Sequence, residues 1–467
     1  MTLKLYDSLT KQTRAVQPVR DGQLSVYSCG PTVYSYIHVG NARPFVVAMT
    51  LKRHLERRHP ELAPRVVVNI TDVNEKIDHV AREAGRPSRE VGAEMAQAYI
   101  DDTSRLGLGR PDSEPRVTET VPDIVALIER LVERGLAYPA HGDVYFRVGA
   151  FPGYGGLSGQ RTENLLEEGR VEPGEGKESP LDFALWKARK EDEDSWWPSP
   201  WGDGRPGWHI ECSAMAMHEL GEEFDVHGGG LDLIFPHHEN ERAQSNGAGY
   251  PFARTWLHNG MLEFAGDKMS KSLGNVERLR DGLDEYGPET LLLLFAQAHY
   301  RSRLEYSPAT LEQARTAGER LREALMRARS AAGGDASEAG ERLAADAATA
   351  VARFDEALDD DLATPEAVAA LFGLARDLNQ AVDAGAPADA LAAAADLLVD
   401  RLDVLGLAGL DGGAGDGPPA AVAALAEERD AARGARDFAR ADALRDEIAA
   451  LGWEVRDTAQ GREFRRR

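Results

Sequence analysis

Three groups of residues in this chain have side chains and spacings fit for chemistry. The first runs from Pro31 to Asn41 (PTVYSYIHVGN) and lies between a strand-like run and a helical one. At such a junction, free backbone N–H groups and the helix dipole favour a phosphate. His38 can hydrogen-bond a phosphoryl oxygen, and Gly40, with Asn41 beside it, leaves room for a flat base against the backbone. The second runs from Lys268 to Asn275 (KMSKSLGN), two lysines among small residues flanked by Gly266 and Gly274. A loop of that composition can close over a polyphosphate, its lysines neutralising charge as pyrophosphate leaves. The third joins Cys29 and Cys212, the only two cysteines, to His237 and Glu241, which stand four apart and so share a helix face. Two thiolates, an imidazole and a carboxylate suit zinc. Each group also has a plainer reading: a loop, a solvated basic segment, and two buried small apolar side chains. The presence of the first two together, in this order and at this separation, favours the functional reading.

The elements that must position these groups can be read from periodicity. Leu24-Ser25-Val26-Tyr27-Ser28 alternates like a half-buried strand, and Pro44 to Arg57 has a helical pattern. Arg65 to Ile70 is a β-branched run fit for a buried parallel strand. Strand, crossover helix and parallel strand make an α/β unit whose ligands sit at the carboxyl ends of the strands, where Cys29 and Thr71 fall. Between about 110 and 205 the periodicity breaks into turn-rich segments, an expected insertion. Strand signals return at Trp208 to Cys212 and at Phe224 to His227. Beyond about residue 310 the chain is helical and Ala-rich, with a helix start at Thr364-Pro365-Glu366 in which Thr364 is the expected cap. Leu410 to Pro419 reads as a linker, followed by one helical stretch, Ala420 to Leu451, and a strand-like end around Trp453.

Composition, at 42% hydrophobic and 28% charged, is ordinary for a globular chain, and no apolar run approaches membrane-spanning length. Two distant cysteines without a signal core are expected to stay reduced, in a cytoplasmic setting. A net charge of -24 argues against indiscriminate nucleic-acid binding but leaves room for a local basic patch, such as the Arg462 to Arg467 end.

HVGN and KMSKS resemble the two signature motifs of class I aminoacyl-tRNA synthetases. The surrounding text is similar to the cysteinyl-tRNA synthetase family: VYSCGPTVY, IHVGNARPFV, NITD, PLDFALWK, GRPGWHIECSAM, HGGG, FPHHENE and KMSKSLGN. The likeness runs from about residue 3 through the DFARADALRDEI segment and beyond. It implies one zinc per chain held by Cys29, Cys212, His237 and Glu241. It places Thr71, Trp208, His209 and His238 around the substrate cysteine, and Gly229 and Asp232 at the adenosine with His38, Gly40, Asn41 and Lys271. His38, Lys268 and Lys271 would stabilise charge in catalysis. Zinc also offers selectivity, since a thiolate is a far better ligand for it than the hydroxyl of serine, which shape alone rejects poorly. Two departures stand out: NITD continues as Val73-Asn74-Glu75-Lys76 instead of a paired-acid-lysine stretch, and Ala363 replaces the usual Asn before the Thr-Pro helix start.

The expected fold is α/β: a Rossmann-like parallel-sheet catalytic domain over 1–310 with an insertion at about 110–205 and the KMSKS loop at 266–275. A helical bundle over 311–409 and a small α+β anticodon-binding module over 420–467 follow. The expected activity is formation of cysteinyl-adenylate from L-cysteine and ATP, with Mg2+, and transfer of cysteine to tRNA(Cys) by a monomer without membrane partners. Two alternatives remain at this point: a related ligase joining cysteine to an amino sugar in mycothiol synthesis, and a catalytically silent binding protein.

Overall fold

The computed structural model describes residues 2–161, 176–264, 267–268, 277–412, 420–434, 437–450, 453–458 and 461–466. The chain forms two compact units, Met1–Ala408 and Gly409–Arg467.

The first unit opens with a two-stranded antiparallel ribbon, β1 (Lys4–Asp7) and β2 (Gln12–Ala15). Next come β3 (Gln23–Ser28), helix α1 (Val39–Arg58) and β4 (Ala63–Val68), the expected parallel crossover, with Val26 opposite Val66. The half-buried alternation expected for β3 is corrected: Leu24 to Ser28 is buried throughout. Ser25 is tolerated there because it is bonded. Asp225 Oδ2 accepts from the Ser25 hydroxyl at 2.6 Å and from its backbone N–H at 2.7 Å. A buried hydroxyl with a charged acceptor carries no desolvation deficit.

Helices α2 (Glu75–Ala84), α3 (Ser88–Ser104) and α4 (Val117–Glu133) follow. Gly85 adopts a left-handed φ of 63° at the end of α2, a helix stop that suits glycine. Within the expected insertion, α4 packs Val121, Ile124 and Ile128 into a core shared with Phe146, Trp186 and Cys212. Strands β5 (Ala137–Ala140), β6 (Asp143–Phe146), β7 (Phe183–Ala188) and β8 (Gly204–Pro206) form an antiparallel sheet in that order.

The segment from Trp208 to Cys212 is not the strand expected from its pattern. It is the first turn of α5 (Trp208–Leu220), preceded by Gly207 at the cap position. Ile210 to Ala216 are buried without interruption, so the segment presents no solvent face from which its periodicity could reveal a helix. Strand β9 (Glu223–Gly230), helix α6 (Glu239–Gly247) and strand β10 (Phe252–Asn259) complete a four-stranded parallel sheet in the order β10-β9-β3-β4. Beyond it, β11 (Leu262–Phe264) pairs with β12 (Asp267–Lys268) and with β13 (Leu304–Tyr306), with α7 (Leu279–Tyr286) and α8 (Pro288–Ala296) in between.

Four helices end the unit: α9 (Pro308–Ser330), α10 (Ser337–Asp359), α11 (Thr364–Asp383) and α12 (Ala388–Val404). Leucines and alanines on one face of each, such as Leu321, Leu343, Leu371 and Leu398, are buried. Thr364 is the first helical residue of α11 and Ala363 occupies the cap position without a side-chain bond, which corrects the expected Thr364 cap.

In the second unit, the expected single helical stretch is two helices, α13 (Ala420–Gly434) and α14 (Phe438–Ala450). They precede an antiparallel hairpin, β14 (Trp453–Thr458) and β15 (Gly461–Arg466). Val422, Ala426, Ile448 and Val455 form its small core. Among the described residues, no helix is long and apolar enough to cross a membrane.

Candidate active site

The carboxyl edge of the parallel sheet gathers the donor side chains. Cys29 follows β3 directly, its N–H bonded to Gly228 O at 2.9 Å. Cys212 comes from the first turns of α5, His237 from a short turn (Ile234–His238) that runs into α6, and Glu241 from α6. Cys29 Sγ lies 3.6 Å from His237 Nε2 and 3.5 Å from Glu241 Oε1, and these two atoms are 3.1 Å apart. Donor atoms of all four residues lie within 4.8 Å of one another, and all four side chains are buried. Two thiols and a carboxylate in one dry space conflict electrostatically. Burial, with Cys212 and Glu241 adding to it, pushes the Cys29 thiol well above its ordinary range. A divalent cation taking the thiolates removes that conflict, and a set of two sulfurs, one imidazole nitrogen and one carboxylate suits a tetrahedral zinc site. The residues therefore fit the metal implied by the resemblance.

Neighbouring groups orient the donors. His227 Nε2 lies 2.8 Å from Glu241 Oε2, which leaves Oε1 turned to the thiols. His237 Nδ1 and His209 Nδ1 are 2.9 Å apart, so Nε2 of His237 faces the donor set. Burial, then the nearby His209 and His227, depresses His237 well below its ordinary range, and a neutral ring is the form that binds a metal. Burial likewise pulls His209 down to about 3, with Lys187 assisting. The Trp208 ring stacks on His237 with centroids 4.3 Å apart and remains 37% exposed, so it walls the open side of the pocket. His238 Nδ1 lies 2.8 Å from His258 Nε2, and His258 Nδ1 lies 2.8 Å from Ser8 Oγ. Cys29, His227, His238 and Glu241 form a second, overlapping group of donors. Thr71 is buried at the same edge, its hydroxyl accepting from Asn69 Nδ2 at 3.2 Å and its backbone bridging to Thr32.

The HVGN segment is the start of α1 and not a free loop. His38 holds the cap position, and its N–H donates to Asn41 Oδ1 at 3.3 Å. Gly40 packs tightly on the histidine, since a Cβ there would lie 3.0 Å from His38 Nδ1 and press on the ring. Gly229 serves His238 in the same way, with a Cβ falling 2.7 Å from Cε1 of that ring. Asp232 is exposed in the turn after β9. Lys268, on β12, lies opposite Glu263 of β11 in the strand register, whereas Lys271 and residues 269–276 lie outside the described residues, as does Gly266. The segment that follows them is tied to α1: Val39 N–H donates to Glu277 O at 3.0 Å, and Leu279 N–H to Ile37 O at 2.9 Å. The structure thus sets the HVGN turn beside the described segment that follows the lysine-bearing motif.

Comparison with known proteins assigns this arrangement. Residues 15–316 match the family described as tRNA synthetases class I (C) catalytic domain, 353–409 a DALR domain, and 416–465 the cysteinyl-tRNA ligase anticodon binding domain. The cysteine–tRNA ligase of Alkalilimnicola ehrlichii is 47% identical over 99% of this chain and 100% of its own length. That of Caldicellulosiruptor saccharolyticus is 44% identical over the same 99% and 100%. The chain belongs to the cysteine–tRNA ligase family. Its fold is shared with a Mycobacterium tuberculosis methionyl-tRNA synthetase in complex with methionyl-adenylate, at a TM-score of 0.59 and 16% identity, over 83% of this chain and 90% of that one. An Agrobacterium radiobacter LeuRS in a ternary complex superposes with a TM-score of 0.60 at 13% identity, over 86% of each chain.

Within this member of the cysteine–tRNA ligase family, three supporting residues escaped sequence reasoning. His227 and His258 each sit near the carboxyl end of a sheet strand, a position that carries ligand-facing groups in α/β folds. Arg43, two residues beyond HVGN, is 1% exposed, and its guanidinium donates to the carbonyls of Gly260, Met261, Ser302 and His299. No local pattern announces such a role, because its four acceptors lie more than two hundred residues away.

Proposed function

We propose that this cysteine–tRNA ligase family member activates L-cysteine with ATP and Mg2+ and transfers it to tRNA(Cys). The observation that carries this reading is the buried set of two thiols, imidazole and carboxylate at the sheet edge, beside the HVGN turn. Cys29, Cys212, His237 and Glu241 would hold one zinc per chain. When bound, zinc supplies a site that prefers a thiolate to a hydroxyl, which selects cysteine over serine. Trp208, Thr71, His209 and His238 line the space beside it and orient the substrate's amino and carboxylate groups. The carboxylate then attacks the ATP α-phosphate, with His38, Lys268 and Lys271 neutralising charge as pyrophosphate departs. Gly40, Asn41, Gly229 and Asp232 would receive the adenosine. The acyl group passes next to the terminal adenosine of the transfer RNA, whose anticodon is assigned to the 420–467 module.

The mycothiol-type ligase reading is weakened by the anticodon-domain match at 416–465. The deciding experiment is cysteine-dependent ATP–pyrophosphate exchange followed by charging of purified tRNA(Cys), with metal analysis. Exchange, charging and zinc are expected in the intact chain. Cys212→Ser should lose zinc and cysteine binding, whereas Lys271→Ala should keep both and slow exchange roughly a hundred- to a thousandfold. Exchange without charging, but with ligation to an amino sugar, would overturn the reading.

A further inference from the structure

Apart from the sheet-edge donors, the described residues contain one more buried group of metal-binding side chains: His54, His59 and Asp359. His54 lies in α1, His59 caps its end, and Asp359 is the last residue of α10. Their exposures are only 1%, 5% and 3%. Both imidazoles aim the same atom at the same oxygen: His54 Nε2 is 2.8 Å and His59 Nε2 2.6 Å from Asp359 Oδ1. The rings stand nearly perpendicular, at 83°, with centroids 5.8 Å apart, so their nitrogens converge without the rings stacking.

Two further features resemble a ligand shell more than a hydrogen-bonded triad complete in itself. His59 Nδ1 lies 3.2 Å from Glu61 Oε1, and a carboxylate behind an imidazole is the usual support of a metal-bound histidine. Asp359 Oδ2 is buried with no hydrogen-bond partner, and Arg58 Nε approaches it only to 3.8 Å.

We propose that His54, His59 and Asp359 form a second metal site, for a divalent transition-metal ion such as zinc, cobalt or nickel, that pins the end of α10 to α1. Two imidazoles and one carboxylate suit such ions, while calcium and magnesium need more oxygen ligands. Metal–ligand bonds of about 2.0–2.2 Å put tetrahedral donors roughly 3.3–3.5 Å apart, so the rings need retreat by less than about 1 Å. Each ring's proton then resides on Nδ1, where Glu61 accepts that of His59, and Asp359 can offer its unpartnered Oδ2. A fourth position remains for water.

The test is cobalt(II) titration of the full chain after a chelator has stripped its metal, followed by metal analysis and absorption spectroscopy. Cobalt held by thiolates shows sulfur-to-metal charge transfer, and cobalt held by nitrogen and oxygen does not. The intact chain should take up about two cobalt ions, one of them silent in that band. Asp359→Asn and His59→Gln should each take up about one, with the band at full strength. The glutamine keeps an amide donor facing Asp359, and if neither variant folds, the intact chain's stoichiometry decides alone. Cys212→Ser should lose the band and keep the silent ion. Saturation of the intact chain at about one ion with a full band, or uptake unchanged in both variants, overturns the proposal. Absence of the band in the intact chain would instead count against the cysteine-activation site and leave this one standing.

Discussion

Replacing Arg43 by methionine tests whether one buried cation holds the frame around the lysine-bearing motif. The guanidinium donates to Gly260 O at 2.7 Å and Ser302 O at 2.8 Å, and more weakly to His299 O at 3.2 Å and Met261 O at 3.4 Å. These carbonyls belong to two loops, one joining β10 to β11 and the other preceding β13. The loops are already tight, since a Cβ on Gly260 would fall 2.1 Å from Ser302 O. Burial lowers the Arg43 pKa only to about 10, so the side chain stays charged at neutral pH. Hydrogen bonds from a charged donor contribute roughly 1.5–3 kcal/mol each, and the two short ones dominate here. Methionine recovers about 1 kcal/mol through apolar burial, which leaves a net loss of roughly 2–5 kcal/mol. Arg43→Lys should lose about half as much, because one ammonium cannot span both loops. Urea unfolding monitored by tryptophan fluorescence reads this as a lowered midpoint at constant slope. Since β11 pairs with β12, which carries Lys268, the KM for ATP in pyrophosphate exchange should rise while zinc content holds. A loss below about 1 kcal/mol at constant slope would refute the argument that these carbonyls depend on Arg43.

Three other outcomes follow from contacts described above. His227→Leu removes the 2.8 Å partner of Glu241, and the metal should become about 10–100-fold easier to extract with a competing chelator; equal retention would clear His227 of the role. Gly229→Ala drives a methyl group against the His238 ring and should destabilise the protein by about 1–3 kcal/mol, an effect that an unchanged thermal midpoint would disprove. In the metal-free protein, Asp359→Asn should flatten the acid limb of the stability curve. Burial acts to raise the Asp359 carboxyl, but hydrogen bonds from His54 and His59 outweigh it and hold the group below its ordinary range. The unfolded chain therefore binds this proton first as pH falls, so the stabilisation is complete above about pH 4 and is lost below it. Urea midpoints measured downward through that range should run parallel in the two proteins if the inference is mistaken.

The sequence by itself was enough for the class of fold, the family and the four side chains that gather at the sheet edge. Cys29 could be placed because a strand followed by a glycine-rich turn is a local signal, and His237 with Glu241 because their spacing is a property of one helix. The KMSKS motif was legible as chemistry even though most of it lies outside the described residues. Other assignments depended on contacts between distant segments. Trp208 to Cys212 looked like a strand because Ile210 to Ala216, buried without interruption, present no solvent face to betray the helical period. Ser25 and Ser28 looked half-exposed because the carboxylate that satisfies Ser25 comes from Asp225, two hundred residues further along. Gly40 reads as clearance for a flat base, and the folded chain adds a neighbour for it and for Gly229, since a Cβ at either would crowd a histidine ring. Arg43, His227, His258 and the His54–His59–Asp359 group belong to the same class. A polar side chain declares its type in the sequence, but its charge state and its task are set by what surrounds it once water has been excluded, and only the tertiary structure chooses those neighbours.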